Sequence, residues 1–178
     1  MERAIAESRL VQAAQDGSTE AMESLFRRHW PRAHRAAYLI VHDSAAAEDI
    51  AQEGFLAAIR ALERFDRRRP FGPWLHRIVV NRAIDAARSR SLRRELGEEL
   101  VGEPAARPDP SAEPYSDDVV AALAQLDPER RALVVLRYLL EYTPGEIAEA
   151  LDLPRGTVNS RLRRSLDSLR GALEVERG

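Results

Sequence analysis

The sequence contains no cysteine and no lysine. The first absence excludes disulfides and thiolate metal sites. The second makes every cationic side chain an arginine, a planar fork suited to phosphates and guanine edges. No stretch approaches the roughly 18 apolar residues of a membrane span, and no N-terminal apolar run resembles a signal peptide. There is no alternating apolar pattern of the kind that argues for a strand. No glycine-rich phosphate loop or nucleophile motif occurs, so no cofactor is expected. The four histidines, His29, His34, His42 and His76, lack carboxylates at ligand spacing and read as core or surface residues. Together these absences point to a soluble, cytoplasmic, all-α protein.

What is present is charge, unevenly placed. The 178 residues allow one large domain or two small ones, and 44% apolar composition is that of a globular chain. The net charge of -2 conceals strong local bias. Residues 60–94 carry eleven arginines against Glu63, Asp66 and Asp85, and residues 95–118 carry eight acids against one arginine. Residues 155–164 hold four arginines and no acid.

Punctuation divides the chain into helices. The first runs from about Arg3 to Gln15 and stops at Gly17. The second spans about Ser18 to Val41. The third is capped by Asp43 or Ser44 and continues to about Glu63, with Ile50, Phe55, Ile59 and Leu62 at near-helical spacing. After a loop, Asp66 to Gly72, Pro73 suits the first turn of a fourth helix that reaches Arg94. Four prolines and many acids over residues 97–116 cannot bury enough surface to offset ordering, so residues 95–116 read as a flexible acidic linker between two small helical domains, 1–94 and 117–178. In the second domain one helix runs to about Leu126, and Asp127-Pro128 opens the next. Thr143-Pro144-Gly145-Glu146 is a capping box that opens another, ending near Leu151. The last begins near Pro154. Two helices joined by about three residues form a helix-turn-helix.

At 100° per residue, Val158, Leu162, Leu166 and Leu169 make the apolar seam of the last helix. Gly156, Thr157, Ser160 and Arg164 fall opposite, with Arg161 and Arg163 beside them and Asn159 next to the seam. Small and polar residues permit close approach to DNA, and arginines reach bases and phosphates. Arg155, Thr157, Asn159, Ser160, Arg161, Arg163 and Arg164 are therefore the candidates for major-groove contact. In the basic stretch, Phe65, Phe71 and Trp74 interleave with arginine, a combination suited to single-stranded DNA, where bases stack on rings and arginines follow the backbone. Phe71 and Trp74 fit equally the core at a helix start. The acidic linker fits either plain solvation or mimicry of nucleic-acid charge in a partner's basic channel. A plain duplex-binding regulator has no need of the 60–94 stretch, and a pure interaction module leaves the clustered charge unexplained.

Four segments carry a family resemblance: Ala47-Glu48-Asp49-Ile50-Ala51-Gln52-Glu53-Gly54-Phe55; Arg64-Phe65-Asp66 through Trp74-Leu75-His76-Arg77-Ile78; Asn81-Arg82-Ala83-Ile84-Asp85; and Gly156-Thr157-Val158-Asn159-Ser160-Arg161-Leu162. In order and spacing they resemble the extracytoplasmic-function (ECF) sigma factors, the two-domain members of the sigma-70 family. The resemblance implies a subunit without catalytic chemistry that binds core RNA polymerase and directs it to promoters. It implies that Asp49, Gln52, Glu53 and Leu56 dock on the clamp helices of the largest polymerase subunit, and that the C-terminal domain meets the flap of the second-largest. It implies -10 element contacts by Phe65, Arg67, Arg68, Phe71, Trp74, Arg77, Asn81 and Arg88, with a flipped base held by the loop, and -35 element reading by the last helix. The linker is then expected to thread toward the active-site cleft and exit channel, and an anti-sigma factor to be a partner. Two positions depart from the family. Asp152 stands where glycine is usual in the turn, and aspartate tolerates the left-handed conformation better than most residues. Asn159 stands where lysine or arginine is common.

Overall fold

The computed structural model describes residues 2–96 and 117–175. Of the stretch expected to be a linker, residues 95–116, Glu95 ends helix α4 and Leu96 follows it, while residues 97–116 lie outside the described residues, as do the last three. Among the described residues the chain is all-α, without a strand. Eight α-helices follow in order: α1 (Glu2–Gln15), α2 (Thr19–Val41), α3 (Ser44–Ala61), α4 (Phe71–Glu95), α5 (Asp117–Ala124), α6 (Pro128–Val134), α7 (Pro144–Leu151) and α8 (Arg155–Val175). None is long and apolar enough to cross a membrane.

Side-chain caps start four of these eight helices, α2, α3, α6 and α7. Ser18 accepts from Ala21 N at 3.2 Å and Asp43 from Ala46 N at 3.0 Å. Asp127 accepts from Arg130 N at 2.8 Å, with Pro128 in the first turn. The capping box is complete: Glu146 N donates to Thr143 Oγ1 at 3.3 Å and Thr143 N donates to Glu146 Oε2 at 2.7 Å. Each such cap satisfies backbone donors that a helix leaves orphaned.

Helix α2 is the centre of the molecule. It packs against α1, α3 and α4 on its own side of the chain and against α5 and α6 on the other. One apolar cluster runs through both halves, from Val11, Leu25, Ile40 and Leu75 to Leu133, Leu136, Ile147 and Val158. Gly54 lets α3 lie tight on α4, since a Cβ there would meet Val79 Cγ2 at 2.6 Å.

Four details differ from the sequence reading. Helix α3 stops at Ala61 and continues as a tighter turn, Leu62–Arg64. Helix α4 begins at Phe71, ahead of Pro73, with Pro70 before it and no side-chain cap; Glu7 of α1 lies beside this start and lines one cavity with Phe71. Helix α5 ends at Ala124, before the expected Leu126. There the Arg131 guanidinium takes over its end by donating to Leu123 O at 2.9 Å, Ala124 O at 3.1 Å and Leu126 O at 2.8 Å. The same guanidinium donates to Ile40 O of α2 and so ties the two halves together. Beyond α6 the chain widens into a π-helical turn, Val135–Leu139, that no sequence signal announced.

Candidate nucleic-acid interface

Three residues, Asp152 to Pro154, join α7 to α8. Asp152 adopts the left-handed conformation, φ 53°, and its N–H returns to Ala148 O. Val158 and Leu162 anchor α8 in the core, whereas Leu166 and Leu169 are only half-buried. Ser165 is the buried member that periodicity missed: its hydroxyl donates to Arg161 O at 2.8 Å and accepts from Arg130 Nε at 3.3 Å. A small hydroxyl with both partners supplied is as acceptable in a seam as an apolar group.

The outer side of α8 matches the rotation derived from sequence with two shifts. Arg155, Asn159, Ser160, Arg163 and Arg164 are exposed, so Asn159 is freer than its place beside the seam suggested. Thr157 and Arg161 are half-buried, so Thr157 does not stand opposite the core. Ser160 Oγ donates to Thr157 O at 3.0 Å. A Cβ at Gly156 would meet nothing within 4 Å, so packing does not require glycine there. The first turn of α8 still presents free N–H groups to an anion.

The basic stretch of α4 and its preceding loop has a different surface. Residues 66–70 are all exposed. Arg68 pairs with Asp66 at 2.9 Å, and that pairing holds the Asp66 carboxyl below its ordinary range. Phe65 and Phe71 are 8% and 4% exposed. The expectation of exposed stacking rings is corrected for both: they close the core beneath the loop, 5.9 Å apart and edge to face. Trp74 leans on them at 4.5 and 5.6 Å and keeps part of its surface open. Trp74, Arg77, Asn81 and Arg88 fall within about 60° around α4 at 100° per residue. Arg77 and Arg88 are exposed and Asn81 half-exposed. The stripe runs from the loop to the seam with α6, where Arg88 pairs with Glu129. Arg88, Arg161 and Arg164 line one cavity of about 380 Å³ together with Asp127, Glu129 and Arg130.

On α3, Asp49, Gln52, Glu53 and Leu56 are all exposed and lie on one face, as i, i+3, i+4 and i+7 spacing requires. Two exposed apolar residues lie outside the set named from the sequence. Ile59 follows Leu56 by three residues, and Phe26 of α2, 38% exposed, stacks against Trp30 and Phe55 with ring centroids 4.8 Å away from each. Ile59 is 43% exposed, and the spacing of three that joins it to Leu56 puts both on one side of α3.

Among the described residues no group of His, Asp and Glu is arranged to hold a metal ion. His29, His34 and His76 are buried. His29 Nε2 lies 2.8 Å from Glu7 Oε1, and this contact chiefly keeps the Glu7 pKa low. Burial pushes His76 down to about 4 and His42 to about 3.

Comparison with known proteins decides the family. Residues 25–93 match the family model Sigma-70 region 2, and residues 116–169 match Sigma-70, region 4. The RNA polymerase sigma factor CarQ of Myxococcus xanthus is 36% identical over 90% of this chain and 95% of its own length. The ECF RNA polymerase sigma factor SigW of Bacillus subtilis is 27% identical, covering 92% of this chain and 94% of that protein. This chain belongs to the ECF group of the sigma-70 family. Among solved structures, CnrH in complex with the cytosolic domain of CnrY superposes on this sigma factor with a TM-score of 0.72 at 29% identity, over 96% of this chain and 98% of that one. The work of this ECF sigma factor is promoter recognition in transcription initiation. Its region-four match contains the α7–α8 helix-turn-helix, and its region-two match contains α3, the 66–70 loop and most of α4.

Proposed function

We propose that this sigma factor binds core RNA polymerase through the exposed α3 face, Asp49, Gln52, Glu53 and Leu56, with Phe26 and Ile59 extending the apolar part. Helix α8 then enters the major groove of the -35 element, where Arg155, Asn159, Ser160, Arg163 and Arg164 reach DNA and Thr157 and Arg161 border the contact. The 66–70 loop, with Arg67 and Arg68, and the Trp74, Arg77, Asn81 and Arg88 stripe meet the -10 element and favour its open strand. Phe65 and Phe71 support this surface from below. The observation that carries the reading is the presence of two separate arginine-rich surfaces, one on a helix-turn-helix and one beside a half-open tryptophan.

The proposal includes a change of arrangement. The -35 and -10 elements stand about 25 base pairs apart, about 85 Å at 3.4 Å per pair. Arg88 and the α8 arginines line a single cavity in the free protein. Reading both elements therefore requires the halves, 1–94 and 117–178, to part. The intervening residues 95–116 allow this, since about 22 residues reach up to ~75 Å when extended. The resemblance adds a second partner: an anti-sigma factor holding the free protein, by analogy with CnrH and its bound CnrY domain. The chain works on chromosomal DNA and hence in the cytoplasm, and the polymerase supplies all the chemistry.

In vitro transcription with core enzyme over a genomic promoter library tests the reading. Discrete start sites that depend on this chain are expected. Their absence would overturn it.

A further inference from the structure

Helix α1 lies outside both family matches, the first of which begins at residue 25. It nevertheless touches the DNA-facing loop at both ends. Gln15 Nε2 donates to Leu62 O at 2.8 Å and to Phe65 O at 3.0 Å, the two carbonyls where α3 gives way to the loop. At the far end, the Glu7 carboxylate accepts from His29 Nε2 at 2.8 Å and lines, with Phe71, a cavity beside the first turn of α4. His29 in turn packs on Phe71 with ring centroids 5.3 Å apart, and so closely on Gly72 that a Cβ there would meet its ring at 3.0 Å.

Glu7 and Gln15 are eight residues apart, about 12 Å along the axis at 1.5 Å per residue. Between their attachments lie Asp66 to Pro70, three of them arginines and all exposed. The turn has some structure of its own, with Arg69 N donating to Asp66 O at 2.9 Å and Arg68 N to Asp66 Oδ1 at 3.0 Å. Its two ends, however, are held by side chains of another element. The face of α1 that carries Glu7, Ser8 and Val11 also walls a cavity of about 160 Å³ with Arg67, Arg68, Arg69, Pro70 and Phe71. A helix that served only to cover the core would need apolar contacts such as Val11 and Ala14, both of which are present. The two polar attachments go further: Gln15 fixes two backbone carbonyls at one end of the loop, and Glu7 fixes His29 against Phe71 and Gly72 at the other. A surface ordered before it meets DNA does not lose entropy on binding, which is what preorganisation means for affinity and selectivity.

We propose that α1 is a brace for the DNA-facing loop, and that Gln15 and Glu7 are positioning residues for discrimination at the -10 element. This rests on the reading that residues 66–70 meet that element. The two residues touch no base. They act by holding the loop's ends at one separation, so that Arg67 and Arg68 present a fixed surface.

The test uses the full chain with core polymerase. Start sites found with the wild-type chain supply a template, which is randomised separately across its -35 and its -10 positions, and transcripts are sequenced. In parallel, amide hydrogen exchange is followed by mass spectrometry on the chain without DNA. Gln15→Met keeps the side-chain volume and removes both donors. It is expected to speed exchange over residues 62–71 about tenfold, and to flatten base preferences at -10 about tenfold while those at -35 stay as they were. Glu7→Gln, a milder change at the other end that keeps the side chain's shape, is expected to move the same two readouts in the same direction, and it serves if Gln15→Met fails to unfold cooperatively. Unchanged exchange over 62–71 overturns the brace. So does an equal loss of transcription with both sets of preferences intact, which is the mark of a merely structural role. Failure of the wild-type chain to yield discrete starts would instead overturn the promoter reading, and the exchange result alone would then judge whether α1 braces the loop.

Discussion

Arg164 shows what a single residue of this interface has to do. It is exposed on the outer side of α8 and lines the cavity shared with Arg161 and Arg88. If it reads a base, Arg164→Ala costs about 1–3 kcal/mol at one position of the -35 element and relaxes preference there. Binding measured against duplexes substituted one position at a time decides it, because uniform weakening across all duplexes marks a phosphate contact. A second residue governs behaviour in acid. His76 is buried with neither ring nitrogen hydrogen-bonded, and its pKa is pushed from 6.5 to about 4, first by burial and then by His29 and Arg32, with Glu7 opposing. The unfolded chain takes up this proton near pH 6.5 and the folded chain only near pH 4. Stability is therefore complete above about pH 6.5 and falls as pH drops toward 4, by about 3 kcal/mol from this group at 1.36 kcal/mol per unit. Urea unfolding at pH 7 and pH 4.5 should show the loss, and His76→Leu should shrink it; an undiminished pH dependence in that variant would assign the loss elsewhere. The exposure of Arg164 was legible from helical rotation alone. The burial of Phe65, Phe71 and His76 was not, because an aromatic or imidazole ring beside a basic loop is compatible with either surface until the packing of α1 and α2 over it is known.

At the level of elements, the helix-turn-helix was the most readable part of the chain because its signals are local. The Thr143–Glu146 capping box, the Asp127-Pro128 start and the left-handed Asp152 each involve residues within a few positions of one another. What escaped the sequence lies where one element is finished by another. Gln15 of α1 takes the carbonyls of Leu62 and Phe65 where α3 gives way to the loop, and Arg131 closes α5 and reaches back to Ile40. The π-helical turn at Val135–Leu139 likewise has no punctuation of its own. Two substitutions test the local signals. Thr143→Ala removes both the hydroxyl acceptor for Glu146 N and the partner of the Glu146 side chain, and should cost about 1 kcal/mol. Asp152→Gly should act in the opposite direction, raising stability by about 1 kcal/mol, because aspartate at φ 53° carries a steric cost that glycine lacks. Thermal unfolding of the two variants beside the parent reads both signs, and a destabilised Asp152→Gly would mean that the aspartate side chain contributes more than its backbone strain costs.

At the scale of the whole molecule, the proposed reading of both promoter elements sets the contacts between the halves against DNA. Arg131 reaches Ile40 O, Tyr142 Oη donates to Pro73 O at 3.0 Å, and Arg88 pairs with Glu129 beside the α8 arginines. The first two are well shielded, while Arg88 is 56% exposed and its pair is worth no more than about 1 kcal/mol. A ligand that binds only the parted form is weakened by whatever holds the halves together, in proportion to the fraction parted. Arg88→Ala therefore sets two effects against each other. It removes a positive charge, which taken alone lowers affinity for any DNA. It also releases Glu129 and loosens the closed arrangement, which raises affinity for a duplex carrying only the -35 element by up to about fivefold, the equivalent of ~1 kcal/mol. A rise in affinity for that duplex, measured at fixed salt with the chain alone, is the outcome expected of a closed form that hinders α8. A fall means that the charge matters and the contact does not. The variant Glu129→Gln frees Arg88 without removing a cation but also removes an anion beside the α8 arginines, so the contact is identified by a gain in Arg88→Ala, whose own change of charge opposes it.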